Sequence, residues 1–252
     1  MAITSFGKIL TVLNLFSISR HIIDVDIISE ELGLSRPTSY RYLKELVAAN
    51  LLQRISGTSG DYTLGPKIAV LDYISRTTDP LVHLSTPFMK EIVEKTELNC
   101  LLTFLNHDYC IDLHDETFNN SPLASYGRGN PRPVYLGSSP KVIVASFNKQ
   151  QLHEFYTHYA NQLHEVQFAT SEEEFVQRMK KIKKQGYYFS QGEVNPHYSS
   201  LSVPIQYSCK AVAPVSLTIV GSKNRFEYLD IAKLTAKLQT TADKIAQQFQ
   251  QV

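Results

Sequence analysis

The order of signals between Val25 and Leu64 restricts the fold of this chain more than anything else in it. A short apolar-periodic segment starts near Val25, carries Ile27, Ile28 and Leu32, and stops at Gly33, a residue suited to a left-handed helix cap. Ser35 follows as a natural N-cap, and Pro37 is tolerated in the first turn of a helix. The next segment has Leu43, Leu46 and Val47 as its apolar seam. Two short strand-like runs come after it, Leu51 to Ile55 and Tyr62 to Leu64, around the turn-rich residues 56–61. Helix, tight joint, helix and two-stranded ribbon is the order of a winged helix-turn-helix. An amphipathic helix over roughly residues 4–18, with Ile9, Val12, Leu13 and Phe16, is expected in front of it.

Helical geometry says what the second helix of this pair presents. At 100° per residue, Arg36, Pro37, Tyr40, Arg41 and Lys44 fall within roughly 140° of arc. Ser39, Leu43 and Leu46 lie on the other side. The exposed face then carries two guanidinium groups, an ammonium and a phenol, and arginine can grip a guanine edge or a phosphate with two parallel bonds. Thr38 and Arg54 are placed to hold phosphate, and Ser56, Thr58 and Ser59 of the wing loop suit phosphate or the minor groove. Residues 35–54 hold four basic side chains against Glu45 alone, whereas the first 78 residues hold 8 basic and 7 acidic ones. The charge is therefore placed rather than abundant. With 25 Lys+Arg against 24 Asp+Glu, the chain is not a wholesale polycation. A solvated helix face explains the stripe alone, but not the stripe together with joint, cap and ribbon.

Residues 67–78 read as a further helix with Ile68, Val70, Leu71 and Ile74, and Asp79-Pro80 marks a boundary. Beyond it, helices and strands mix. A helix is expected over 80–96, strands at Cys100 to Leu105 and Cys110 to His114, and a helix from Lys141. Further helices are expected at 149–159 and 172–185, strands near 187–190, 199–206 and 211–220, and a last helix from Tyr228 to Phe249. The fold class is α+β in two domains, with 43% hydrophobic residues sufficient for two cores. The division is residues 1–66, a linker helix 67–79, and a second domain 80–252.

Other chemistries find little support. Ser138-Ser139-Pro140-Lys141 satisfies the S-x-x-K pattern of penicillin-recognising enzymes, but S-D-N, K-T-G and G-x-S-x-G are all missing from the sequence. His153, His158 and His164 lack the i, i+4 spacing of a paired metal site, and Cys100, Cys110 and Cys209 form no C-x-x-C. Lys180, Lys181, Lys183 and Lys184 complement a helix C-terminus. Neither a metal nor a cofactor is expected, nor a catalytic residue. The N-terminus lacks a signal-peptide pattern and no run reaches 18 apolar residues, so a cytoplasmic protein without a membrane partner is expected.

Six blocks carry a resemblance. Ile28-Ser29-Glu30-Glu31-Leu32-Gly33-Leu34-Ser35-Arg36-Pro37-Thr38-Ser39-Tyr40-Arg41-Tyr42-Leu43 resembles the DNA-reading motif of the IclR family of bacterial transcription regulators, and Tyr62-Thr63-Leu64-Gly65 its wing-to-linker signature. The likeness continues, in order, through Gly129-Asn130-Pro131-Arg132-Pro133, Leu136-Gly137-Ser138-Ser139-Pro140-Lys141, residues 185–193 and Ser202-Val203-Pro204-Ile205. It implies a winged helix-turn-helix, a linker helix and a C-terminal GAF-like effector-binding domain. It also implies double-stranded DNA and a small organic effector as partners, and a homodimer or homotetramer. Carried over, the effector contacts fall on Ser138, Ser139, Ser190, Ser200, Thr218 and Val220, with Tyr135, Leu136 and His197 shaping the same cavity. The family commonly has glycine at Pro140 and His197, and a β-branched aliphatic residue at Ser39. The resulting expectation is a regulator, most simply a repressor, whose DNA binding responds to a small organic acid. The competing class is an enzyme in the second domain, with the first domain docking a partner. A hydroxyl-rich pocket poor in fixed charge is expected to favour a small carboxylate or a polyhydroxylated ligand.

Overall fold

The computed structural model describes residues 5–57, 60–106, 108–120, 126–206 and 214–250. The chain divides into two compact units, Met1–Thr77 and Thr78–Val252.

In the first unit, α1 (Ser5–Thr11) ends earlier than the periodicity suggested and passes into a 3-10 turn, Val12–Leu15. The Thr11 hydroxyl donates to the Lys8 carbonyl at 2.7 Å, and β-branched Thr11-Val12 tightens the chain so that Val12 is fully buried. α2 (Val25–Leu32) is capped by Asp24, whose carboxylate accepts from the Ile27 amide at 2.8 Å. It ends on Gly33 with φ 61°, the left-handed cap that makes the sharp joint. α3 (Arg36–Ala48) follows. Ser35 holds the N-cap position, but its hydroxyl pairs with that of Thr38 at 2.9 Å rather than with an amide. Ser39 is fully buried where α3 meets α2, its hydroxyl 3.0 Å from that of Ser29. A hydroxyl pair thus fills the position where the resemblance implies a branched aliphatic residue. β1 (Leu52–Arg54) and β2 (Tyr62–Leu64) pair antiparallel with Gln53 opposite Thr63. Val12, Ile23, Val25, Ile28, Tyr42, Leu43, Leu46 and Leu52 form the core.

α4 (Pro66–Thr78) starts beside Gly65, where a Cβ would stand 2.3 Å from the Asn50 carbonyl oxygen and 2.9 Å from the Leu52 carbonyl carbon. Both neighbours are backbone and cannot rotate away. Gly65→Ala is therefore expected to destabilise the first unit by about 1–3 kcal/mol, read as a lower urea midpoint at unchanged slope. α4 itself buries no residue in the monomer, and Val70, Leu71, Tyr73 and Ile74 are 46–61% exposed.

The second unit opens with α5 (Pro80–Thr96), capped by Asp79. β3 (Asn99–Asn106) and β4 (Tyr109–Glu116) form a hairpin with a bulge at Leu113, so that Thr103 opposes Asp112. β5 (Arg132–Pro133) adds to β4. α6 (Ser138–Val144), α7 (Lys149–Glu165) and α8 (Glu172–Gln185) come next, then β6 (Tyr188–Gln191), β7 (Tyr198–Ile205) and β8 (Val215–Ser222). α9 (Lys223–Glu227) and α10 (Ile231–Phe249) close the chain. α6 begins at Ser138, three residues before the expected start, because Pro140 fits a first helical turn. The last helix begins at Ile231, where Asp230 accepts from the Ala232 and Lys233 amides and caps a new start. Residues 211–213 of the expected last strand lie outside the described residues.

The six strands form one antiparallel sheet in the order β5-β4-β3-β8-β7-β6. Alternation along β3, β7 and β8 gives the sheet two different faces. Cys100, Leu102, Leu201, Val203, Leu217 and Ile219 pack with Met89, Ile92, Leu238 and Ile245 of α5 and α10. On the other face, helices α6–α8 gather Val142, Ile143, Leu163, Phe175 and Met179 into a second cluster. Strand positions facing that way include Thr103, Ser200, Ser202, Ser216 and Thr218. An apolar sheet face is thus backed by a hydroxylated one.

Candidate functional site

The basic face of α3 is where the periodicity put it. Arg36, Pro37, Tyr40, Arg41 and Lys44 are exposed, as is Arg54 on β1, while Thr38 is half-buried and bonded to Ser35. The Arg41 guanidinium sits 5.9 Å from the ring centre of buried Tyr42, so its stem is steadied against the core. Arg36 carries a partner that the local count of charges did not include: its Nη1 donates to the Asp26 carboxylate of α2. Ser56 is exposed; Thr58 and Ser59 lie outside the described residues.

The second candidate site forms where α6 meets the hydroxylated sheet face. Ser138, Ser139, Ser190, Ser200, Thr218 and Val220 are all buried. Register explains their convergence: Ser190 opposes Ser200, Ser200 opposes Val220, and Ser202 opposes Thr218. Ser138 Oγ donates to Ser200 Oγ and accepts from Ser202 Oγ, each at 2.7 Å. Thr218 Oγ1 lies 2.7 Å from Ser202 Oγ and 2.9 Å from Ser139 Oγ. Each hydroxyl has one proton. Since Ser202 gives its own to Ser138, Thr218 must donate to Ser202 and Ser139 to Thr218. The chain of donors therefore runs one way, Ser139 to Thr218 to Ser202 to Ser138 to Ser200. Ser216 Oγ, on the same sheet face, is buried with no hydrogen-bond partner.

Charge lies closer to this patch than a hydroxyl-rich reading implied. Thr103 Oγ1 is 3.4 Å from Ser139 Oγ and donates to Asp112 Oδ1 at 2.7 Å. Asp112 takes both arms of the Arg132 guanidinium, which lies 4.8 Å from the Tyr126 ring centre, and accepts from the Gly127 amide at 2.9 Å. Burial raises the Tyr126 pKa. Next to Ser138, Glu193 is paired with Lys141 and accepts from the Gly137 amide at 3.1 Å and the Tyr188 hydroxyl at 3.0 Å. Lys141 Nζ stands 4.2 Å from the Phe168 ring centre and 4.8 Å from that of Tyr188. Burial holds the Lys141 pKa below its usual range. Burial pushes the Glu193 carboxyl up, but the Lys141 charge and the three donated hydrogen bonds outweigh it and hold the group low. The Gly137 amide, in the turn before α6, is thereby taken up by Glu193.

The remaining candidates separate. Tyr135 packs toward α7, its ring 5.8 Å from that of Tyr159, and Leu136 is half-buried. His197 is exposed in the β6–β7 turn, where its carbonyl accepts from the Lys223 amide. Ser138 and Lys141 do not act on each other, since the partners of Ser138 are Ser200 and Ser202 and that of Lys141 is Glu193. His153 bonds Glu172 at 2.9 Å, and Cys100 and Cys110 are buried, which pushes the Cys110 thiol up to about 12. Cys209 lies outside the described residues. Among the described residues, no group of three or more His, Cys, Asp or Glu could hold a metal ion, and no helix is long and apolar enough to cross a membrane.

Sequence reasoning missed Thr103, Asp112, Tyr126, Ser202 and Glu193 as members of this site. Arg132, Lys141 and Glu193 stand inside motif blocks, which was the one signal available. Their partners lie 20–52 residues away, beyond any local pattern.

Comparison with known proteins agrees with this architecture. Residues 72–247 match the family model described as Bacterial transcriptional regulator IclR C-terminal. The Pca operon regulatory protein of Acinetobacter baylyi is 24% identical over 250 residues, covering 96% of this chain and 88% of that protein. The HTH-type transcriptional regulator KdgR of Escherichia coli is 22% identical, covering 98% and 93%. Among solved structures, an IclR family transcriptional regulator from Brucella abortus superposes with a TM-score of 0.80 at 16% identity, over 96% of this chain and 91% of that one. An IclR homolog from Microbacterium hydrocarbonoxydans, solved with 4-hydroxybenzoate, gives 0.74 at 17% identity, over 99% and 100%. Their fold is shared, and the regulators among the relatives span nearly the whole chain. The chain belongs to the IclR family of bacterial transcriptional regulators.

Proposed function

We propose that this regulator reads duplex DNA with the exposed face of α3 and answers to a small organic acid taken up at the hydroxylated sheet face. In this reading residues 1–66 bind DNA, 67–79 link, and 80–252 hold the effector. The observation that carries it is the α3 face itself: Arg36, Tyr40, Arg41 and Lys44 stand out from a helix whose opposite side is locked in the core. Pro37, Thr38 and Arg54 flank it for phosphate contact. Arg36→Ala and Arg41→Ala are each expected to weaken specific binding by about 1–3 kcal/mol. The measurement is sequence selection from a random duplex pool, followed by titration of the selected site. A wild-type affinity in both variants, with intact circular dichroism, rejects the assignment.

For the effector, Ser138, Ser139, Ser190, Ser200, Thr218 and Val220 are the proposed contacts, with Tyr135, Leu136 and His197 at the margin. The orphan Ser216 hydroxyl supports a ligand here, because a buried donor without an acceptor costs about 1–3 kcal/mol. A carboxylate, able only to accept, suits the Ser216 hydroxyl, whose proton no neighbouring group takes. 4-Hydroxybenzoate is the natural first probe, read by thermal shift beside aliphatic acids of similar size. Such a ligand alters DNA affinity only through unequal binding to two arrangements of the protein. We also assign α4 a role in self-association, since its exposed Val70, Leu71, Tyr73 and Ile74 gain by being covered by a second copy. Light scattering that gives a monomer at micromolar concentration, with and without DNA, rejects this.

A further inference from the structure

We infer that Asp26 is a positioning residue for DNA reading: it holds the Arg36 guanidinium in register for a guanine edge and makes phosphate-only binding less favourable. The inference rests on the reading that the α3 face enters the major groove.

Asp26 is the second residue of α2 and Arg36 the first of α3. Their side chains meet across the joint made by Gly33, with Arg36 Nη1 donating to Asp26 Oδ1. Tyr40 stands one turn further along α3 on the same exposed face. Both members of the ion pair are more than half exposed, at 58% and 53%. An exposed pair contributes little to folding. Capping does not require Asp26 either, because Asp24 caps α2.

A carboxylate on a surface that must approach a polyanion is unfavourable in itself. Its presence makes physical sense if it does something for the arginine. A guanidinium has five N–H donors in one plane; with one given to Asp26, four remain, and a guanine edge takes two in parallel. Tethered from behind, the fork loses less rotamer freedom when it meets the base. Held by a carboxylate, it is also less available to slide onto any phosphate.

These two effects have opposite signs, which a purely structural role does not produce. Asp26→Ala removes the charge without threatening α2, since alanine is the best helix former. Base preference at the Arg36 position is expected to drop by roughly fivefold or more in selection from a random duplex pool. Affinity for random duplex is expected to rise by about two- to threefold at low salt. The slope of log affinity against log salt should steepen by about 0.9, the mark of one new phosphate contact. Asp26→Glu, which restores the charge on a longer stem, should return the random-duplex affinity and the salt slope toward wild type. An unchanged base preference in Asp26→Ala, or an unchanged salt slope, overturns the inference. Arg36→Ala separates the two levels. If it and Arg41→Ala both leave base preference untouched, the α3 reading itself fails and this inference with it. If it abolishes the preference while Asp26→Ala does not relax it, only the role of Asp26 is wrong.

Discussion

Asp112→Ala is expected to cost the second unit about 3–5 kcal/mol and to lower its melting temperature by roughly 6–20 °C. Asp112 is fully buried, and its two oxygens serve both arms of Arg132, the Thr103 hydroxyl and the Gly127 amide. Truncation leaves the buried Arg132 guanidinium without its carboxylate and takes an acceptor from the Thr103 hydroxyl and the Gly127 amide. The largest part of the loss is the stranded cation rather than the missing bond. It follows that Asp112→Leu combined with Arg132→Met, which removes both charges, should recover most of the stability that Asp112→Ala loses. Thermal melts followed by far-UV circular dichroism decide between these outcomes. A double variant as unstable as Asp112→Ala means that the network is needed for shape and not merely for charge balance. Because Thr103 links Asp112 to the hydroxyl cluster through Ser139, the double variant also asks whether ligand binding survives a neutral surround.

The contrast between this network and the helix-turn-helix explains what the sequence could disclose. Gly33, Ser35 and the seam of Leu43 and Leu46 act over a few residues, through backbone conformation and a 3.6-residue period, so the chain states them directly. α1 was misjudged over the same distance because Thr11 and Val12 tighten a turn that hydrophobic periodicity alone extends. The pairs Asp112–Arg132 and Lys141–Glu193 depend on strand order and on where α6 lies, and no local pattern encodes which carboxylate meets which cation. Asp26 shows the same limit at short range. Only ten residues separate it from Arg36, yet the meeting follows from the angle at Gly33 and not from spacing along one helix. Most of the hydroxyl cluster was legible as residues because motif blocks carry Ser138, Ser139 and Ser190, and the resemblance adds Ser200 and Thr218. It was not legible as a directed chain, since donor order is fixed by register between Ser202 and Thr218. A pocket inferred from side-chain types therefore came out short of charge: the charges enter from neighbouring loops and from the far ends of strands.

Lys141→Met is expected to make the stability of the second unit fall as the pH rises from about 4.5 to 7, a range over which the Glu193 contribution of wild type stays level. In the wild type, the Glu193 pKa in the folded state is held below its unfolded value of about 4.3 by Lys141 and by the Gly137 and Tyr188 donors. A carboxyl depressed in this way contributes stability that is present above the unfolded pKa and lost as the pH falls through the folded one. Methionine fills the space beside Phe168 and Tyr188 with a side chain of similar length but supplies no charge. Burial, which in the wild type is outweighed, then dominates and lifts the Glu193 pKa above its unfolded value. The sign of the contribution changes with it: it is full below the unfolded pKa and is lost as the pH rises through the folded one. The variant should lose ground to wild type as the pH rises, by about 2–4 kcal/mol more at pH 7 than near pH 4.5, because its contribution is lost over this range while that of wild type is already present above the unfolded pKa. Lys141→Met combined with Glu193→Gln removes the titrating group and should flatten this difference. Urea unfolding at four or five pH values measures it directly. A constant gap between Lys141→Met and wild type across the range would mean that Lys141 supports α6 through packing against the two rings, with its charge of no consequence for Glu193.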